Sequence, residues 1–176
     1  VIQKIVNSIT AIKGVTLLDV DSGVDTNLSV VTFVGDPHAV KEAAFQSIRT
    51  ASLSIDMSKH KGTHPRMGAT DVCPLIPISN ITMEECVELS KSLGKRVGDE
   101  LDIPIFLYEM SSAKPSRSNL SVIRSGEYEG LSKKLSDPKW KPDYGPSTFN
   151  KKSGATVIGA RNFLTVSYTH LRAHET

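Results

Sequence analysis

Cysteine is scarce in this chain: 176 residues hold two, Cys73 and Cys86. No second cysteine pair or histidine pair stands at zinc-finger spacing, so neither a disulfide scaffold nor a structural zinc site organises the fold, and buried, reduced thiols are expected. Aromatic residues are also few, at 6% of the chain, and 21 Lys and Arg against 19 Asp and Glu leave a net charge of only +2. Basic residues form no run longer than the pairs Lys133-Lys134 and Lys151-Lys152, which read as solvated surface. Charge and composition therefore do not point to nucleic acid as a partner. No stretch approaches the ~18 consecutive apolar residues of a membrane-spanning helix, and no charged-then-apolar signal segment is present. The expectation is a cytoplasmic protein with no membrane partner. Repeats and low-complexity tracts are absent too, and the length suits one domain with a proper core.

What is present is an alternation of helical and strand patterns. Val1, Ile2, Ile5, Val6 and Ile9 recur at helical spacing, predicting a helix from Val1 to Ile12 that stops at Gly14. Val15 to Asp21 and Ser29 to Gly35, rich in Val, Leu and Phe and separated by the turn-rich SGVDTN, read as a strand pair. Asp36 as N-cap and Pro37 in the first turn open a helix to Ile55. Val72 to Ile78 is a strand, but Pro74 and Pro77 withdraw ladder donors and push it toward a sheet edge or an irregular ladder. Thr82 with Glu85 forms a capping box for a helix reaching Leu101. Ile103 to Met110 is an apolar run expected as a buried strand, and the polar SSAKPSRSN, Ser111 to Asn119, is expected as a surface loop. Ala155 to Ala160 and Asn162 to Val166 are expected to close as a hairpin-like pair. The fold class is α/β, with a mixed sheet and helices packed on its faces.

Chemistry concentrates in residues 54–78, SIDMSKHKGTHPRMGATDVCPLIPI. This loop gathers His60, His64, Arg66, Asp56 and Asp71 ahead of a strand, and loops held by rigid flanking elements are where reactive groups sit. Histidine, with an unperturbed pKa of roughly 6.5, both takes up and gives back a proton near neutral pH. Pro65 restricts His64 to extended backbone. His60 and His64 are four residues apart, but Gly62 and Pro65 break the helix that two zinc ligands at that spacing need, and neither a Glu after the first His nor a third ligand is evident. No metal is expected. Arg66 offers bidentate contact to a carboxylate, either a substrate's or that of Asp56 or Asp71. Asp21, at the end of a strand, either serves the site or caps the SGVDTN turn.

The same loop closely resembles the signature of the formiminotransferase family, folate-dependent enzymes that move a formimino group from N-formiminoglutamate to tetrahydrofolate. LLDVDSG (Leu17 to Gly23), TFVG (Thr32 to Gly35), IRSGEYEGL (Ile123 to Leu131), PDYGPSTF (Pro142 to Phe149) and GATVIGARNFL (Gly154 to Leu164) resemble family segments in the family order. The resemblance implies that residues 1–166 are the N-terminal subdomain, preceded in the family by a first strand that restores a ferredoxin-like βαββαβ order, and followed by a C-terminal subdomain. SYTHLRAHET, 167–176, falls outside the match and reads as a non-native adapter-derived tail. By resemblance His64 matches the catalytic histidine, Asp21 and Arg66 join it, and Gly145, Pro146, Ser147, Thr148, Phe149, Asn150, Lys151, Lys152, Ser153 and Gly154 match the folate-contacting loop. Phe149 is placed to stack on the folate rings, and Lys151 and Lys152, which depart from the family pattern, suit an anionic polyglutamyl tail. Tetrahydrofolate is then a co-substrate, formiminoglutamate the donor, and a homodimer the expected full-length assembly. The alternatives are a non-catalytic folate-binding or oligomerisation module and a transferase of formyl groups on folate.

Overall fold

The computed structural model describes residues 1–163. Helix α1 (Ile2–Thr10) leads into strands β1 (Val15–Gly23) and β2 (Leu28–Gly35), then α2 (Pro37–Ser54), β3 (Val72–Leu75), α3 (Met83–Leu101), β4 (Ile105–Leu107), α4 (Leu120–Arg124), α5 (Glu127–Leu135) and β5 (Thr156–Ala160). Local chemistry sets the helix starts. Asp36 accepts the backbone N–H groups of His38 and Ala39 at the head of α2. At the head of α3 the Thr82 hydroxyl accepts from the Glu85 N–H while the Glu85 carboxylate accepts from the Thr82 N–H. Both devices satisfy donors that a helix start leaves without partners.

The strands divide into two sheets. β1 and β2 form an antiparallel pair with a bulge between Leu17 and Asp19, and among the described residues they pair only with each other. β3, β5 and β4 form a parallel sheet with β5 in the middle, which leaves β3, with Pro74 in it, on an edge, where a missing ladder donor is tolerated. Alternation along β4 and β5 builds two cores, because successive side chains point to opposite faces. Ile105, Leu107 and Ile158 face α2 and α3, meeting Ala44, Phe45, Ile48, Leu93 and Val97. Phe106 and Val157 face the other way, onto Ile123 of α4 and Leu131 and Leu135 of α5. Helices therefore cover both faces of the parallel sheet.

Several expectations need correction. Ala155 to Ala160 is not half of a hairpin: all five residues of β5 are buried, and the strand pairs in parallel with β3 on one side and β4 on the other, as a near-continuous apolar run does when both sheet faces are covered. The proposed second arm, Asn162 to Val166, has no strand at 162 and 163, and its remainder, like the tail 167–176, lies outside the described residues. The polar stretch 111–119 is not all surface. Ser111 and Arg117 are buried, Ser111 bonding Ser90 at 2.6 Å and the Ala160 N–H at 2.8 Å, and Arg117 pairing with Asp143 at 2.7 Å near the rings of Phe106 and Trp140. Their polarity serves buried bonds rather than solvation. Lys134 is likewise drawn in, its ammonium 4.2 Å from the Trp140 ring centroid. Strand β3 also ends at Leu75, short of Ile78, and the β4 ladder spans only Ile105–Leu107.

The fully buried Leu93 of α3 and the exposed Thr82 cap should separate cleanly in a denaturation experiment. Leu93→Ala is expected to lower unfolding stability by roughly 2–5 kcal/mol, the range for emptying a core site. Thr82→Ala should lower it by about 1 kcal/mol, the value of one cap. Equal effects in urea titration would contradict the assignment of Leu93 to the central core.

Candidate active site

The loop between α2 and β3 is held along its length. Met57 is buried and its N–H donates to the Lys152 carbonyl at 2.9 Å; further on, the Met67 N–H donates to the Asp71 carboxylate at 2.8 Å. The Met67 carbonyl accepts from Ala155 at 3.1 Å, and the Ala69 N–H donates to the Ser153 carbonyl at 2.9 Å. Gly68 and Gly154 form an antiparallel bridge between them. Gly154 sits at φ +68°, and a Cβ there would stand 2.1 Å from the Met67 carbonyl, so the close approach needs glycine. The 55–71 loop and the 145–154 loop thus run side by side into β3 and β5, at the N-terminal edge of the parallel sheet.

Arg66 is the ionic centre of this edge. Its guanidinium is buried and forks onto Glu129 at 2.7 and 2.9 Å, reaches Glu127 at 3.1 Å, and directs Nε to His60 Nδ1 at 3.5 Å. The two carboxylates come from the first turn of α5, where Gly126 at φ 85° and Glu127 at φ 51° turn the chain in the left-handed region. The expected partners Asp56 and Asp71 are not used. Asp56 accepts from Ser58 instead, and Asp71 pairs with Arg124. Hydrogen bonding from Arg66 holds the Glu129 carboxyl below the usual carboxylate range, and Glu129 with Glu127 raises the arginine, against the desolvation of its burial.

The two histidines have different fixtures. His60 Nε2 lies 3.0 Å from the Asn27 carbonyl, so it carries the proton and leaves Nδ1 to accept from Arg66. Asn27 also donates to the Lys61 carbonyl at 2.7 Å, fastening the β1–β2 turn to this loop. His64 is half-buried, and its Nδ1 stands 2.7 Å from the Pro65 carbonyl. A carbonyl oxygen only accepts, so Nδ1 carries the hydrogen, and in the neutral ring the lone pair sits on Nε2, which has no partner among the described residues. Asp21 is exposed on β1 opposite Val30 and makes no side-chain hydrogen bond to His64. The residues 60–64 are not helical, and among the described residues no group of three or more His, Cys, Asp or Glu side chains gathers as a metal site.

An open groove of about 720 Å³ runs between Met57, Ser58, His60 and Arg66 on one side and Tyr128 and Glu129 on the other. Beside it lies the 145–154 loop. Gly145, at φ +77°, packs its Cα edge against the Ile103 carbonyl; Pro146 is half-buried, Ser147 and Thr148 exposed. Phe149 rests against Tyr128 with ring centroids 5.3 Å apart. Asn150 donates to the Asp102 carbonyl at 3.2 Å and accepts from the Ser153 N–H at 3.0 Å. Lys152 is not a free cation, because its ammonium donates to the Leu53 carbonyl at 3.0 Å, whereas the exposed Lys151 has no side-chain bond among the described residues.

Residues 1–161 match the formiminotransferase domain, N-terminal subdomain. The chain belongs to the formiminotransferase family. It is 54% identical over 164 residues to the formimidoyltransferase-cyclodeaminase of Mus musculus, covering 93% of this chain and 30% of that protein. It is 52% identical over 161 residues to the glutamate formimidoyltransferase of Streptococcus pyogenes serotype M1, covering 92% of this chain and 54% of the relative. A glutamate formimidoyltransferase of Thermoplasma acidophilum is 46% identical over 165 residues, with coverages of 93% and 54%. The chain therefore spans between about a third and about half the length of these formiminotransferase relatives.

Sequence reasoning missed Glu127, Tyr128 and Glu129 as site residues, although they sit in the family-like segment IRSGEYEGL. The available signal was electrostatic. A loop arginine between proline and methionine, drawn into the fold ahead of a strand, calls for a carboxylate, and two glutamates around an aromatic after a glycine supply it. The consequence is measurable in acid. Because Arg66 depresses the folded-state carboxyl of Glu129, the pair contributes stability above the unfolded-state value and loses it as pH falls through the folded-state value. Glu129→Gln should lower the melting temperature near neutrality and flatten the decline of stability on acidification below the ordinary carboxylate range. Parallel acid profiles for the two proteins would contradict the ion pair.

Proposed function

We propose that this chain supplies the histidine-bearing half of a glutamate formimidoyltransferase, moving the formimino group of N-formimino-L-glutamate to N5 of tetrahydrofolate and releasing L-glutamate. One observation carries it: His64, in the HPRMGA run of a formiminotransferase-family chain, has no Nε2 partner among the described residues while Nδ1 is committed to the Pro65 carbonyl, and it belongs to the loop whose Lys61, Gly62 and Arg66 line the groove. An imidazole held in that tautomer is ready to accept a proton.

The proton inventory of the reaction fits such a group. N5 of tetrahydrofolate attacks the formimino carbon and forms a new C–N bond; the tetrahedral centre then sheds the N5 proton, which His64 Nε2 accepts. His64 returns a proton to the glutamate nitrogen as its bond to carbon breaks, and the C=N double bond opened by the attack re-forms between the transferred carbon and its imino nitrogen. The net result is 5-formiminotetrahydrofolate and L-glutamate, with the histidine back in its starting form. Arg66 is occupied by Glu129 and Glu127, so its part is to hold the loop that carries His64 rather than to bind a substrate carboxylate directly. Asp21 remains exposed and available to the donor amidine. Phe149 and the backbone of 145–154 take the folate, with the ammonium of Lys151 facing solvent toward an anionic tail. A cytoplasmic homodimer belongs to the same proposal, on the family resemblance.

In the full-length protein, His64→Ala should lower turnover by roughly 10² to 10⁴, the usual span for losing a general acid/base, while His60→Ala costs far less. Steady-state kinetics with formiminoglutamate and tetrahydrofolate decide this. Equal losses at the two positions would overturn the assignment of His64.

A further inference from the structure

The four residues Gly126 to Glu129 stand between two loops that the proposed reaction uses for different substrates. Tyr128 touches both. Its backbone N–H donates to the Arg66 carbonyl at 2.8 Å, two residues from His64, and its hydroxyl donates to the Lys151 carbonyl at 2.6 Å. Its ring lies against Phe149, tilted by 50°. The residues on either side of it, Glu127 and Glu129, grip the Arg66 guanidinium. Glu127 adopts φ 51°, a region that non-glycine residues rarely enter, so the chain accepts local strain to bring all three side chains to this point.

The 145–154 loop shows why the tyrosine hydroxyl matters. Three consecutive carbonyls of the loop each accept from a different place: Lys151 from Tyr128 Oη, Lys152 from the Met57 N–H and Ser153 from the Ala69 N–H. Met57 and Ala69 belong to the histidine-bearing loop, so two of the three bonds are fixed by backbone. The first depends on one side chain, and it is the bond nearest Phe149. Burial, helped by the Asp56 and Glu129 carboxylates, pushes the Tyr128 phenol up, which keeps Oη a donor across the neutral range.

We propose that Tyr128 is a positioning residue that ties the 145–154 loop to the histidine-bearing loop and thereby sets the tetrahydrofolate half of the site. The proposal rests on the formimidoyltransferase function above. Tyr128 acts on the co-substrate through the loop it holds, so its loss is felt in folate affinity and not in the proton transfers at His64.

The test uses the full-length protein with Tyr128→Phe, which keeps the ring against Phe149 and removes only the hydroxyl, and Tyr128→Leu, which removes both. Tyr128→Phe should raise the Kd and KM for tetrahydrofolate roughly two- to tenfold, the worth of one hydrogen bond, while kcat and the KM for formiminoglutamate hold within about twofold. Tyr128→Leu should lose more folate affinity in the same direction. Native-state cleavage by trypsin after Lys151 and Lys152 should quicken in both, reading the loop directly without reference to activity. Wild-type Kd and wild-type cleavage in Tyr128→Phe would overturn the proposal, as would a fall in kcat with Kd unchanged. A wild-type protein that binds tetrahydrofolate but transfers no formimino group would remove the functional assignment instead, and the Kd and cleavage data would still decide Tyr128.

Discussion

The buried guanidinium of Arg66 is the interaction on which the site depends. A charge taken out of water is costly unless paired and hydrogen-bonded, and here three side chains provide the pairing. Glu129 does so by a two-pronged contact, Glu127 by a single one, and His60 through its acceptor nitrogen. Those partners come from segments far apart in the chain, so satisfying one arginine draws the 55–71 loop and the start of α5 together. His60 extends the reach to the β1–β2 turn through Asn27. A lysine would not substitute, because a point charge lacks the fork that engages Glu129 with two bonds while leaving Nε for His60.

The parallel sheet fixes where this assembly stands. Open α/β sheets commonly hold ligands beyond the carboxyl ends of their strands, but here the loops that carry the candidate residues enter β3 and β5 from the amino ends. The Gly68–Gly154 bridge lets the two loops meet before either strand begins, and the glycine at 154 is what permits the approach. With helices on both faces, the strands are rigid supports, and reactive groups at their edge inherit that rigidity. The histidine tautomers are set locally: the Pro65 carbonyl orients His64, and the Asn27 carbonyl orients His60.

Features with a local cause were legible in the sequence. The Asp36 cap, the Thr82–Glu85 capping box and the edge position of a strand interrupted by Pro74 follow from residues within a few positions of one another. The strand pair β1–β2 followed from alternation around a turn-rich segment. What was not legible depends on distant pairing. Val157 and Ile158 pattern alike for a hairpin or a central parallel strand, and only α4 and α5, hidden in a polar stretch, decide which. Arg66 reads as a partner for a substrate carboxylate or for the nearby Asp56 or Asp71, because the glutamates it engages lie about sixty residues away, whereas Asp56 and Asp71 are taken by Ser58 and Arg124. Ser111 and Arg117 look like surface for the same reason: their buried partners are remote.

If one buried arginine assembles the site, removing its charge should loosen distant segments together. Amide hydrogen exchange of wild type and Arg66→Met compares them residue by residue. Protection is expected to fall jointly at Tyr128, Met57 and Ala69, whose N–H groups bond Arg66, Lys152 and Ser153, while the amides of α3 and β4 keep theirs. Loss confined to Tyr128, or none at all, would show that the two loops hold their places without the arginine and would contradict its central role.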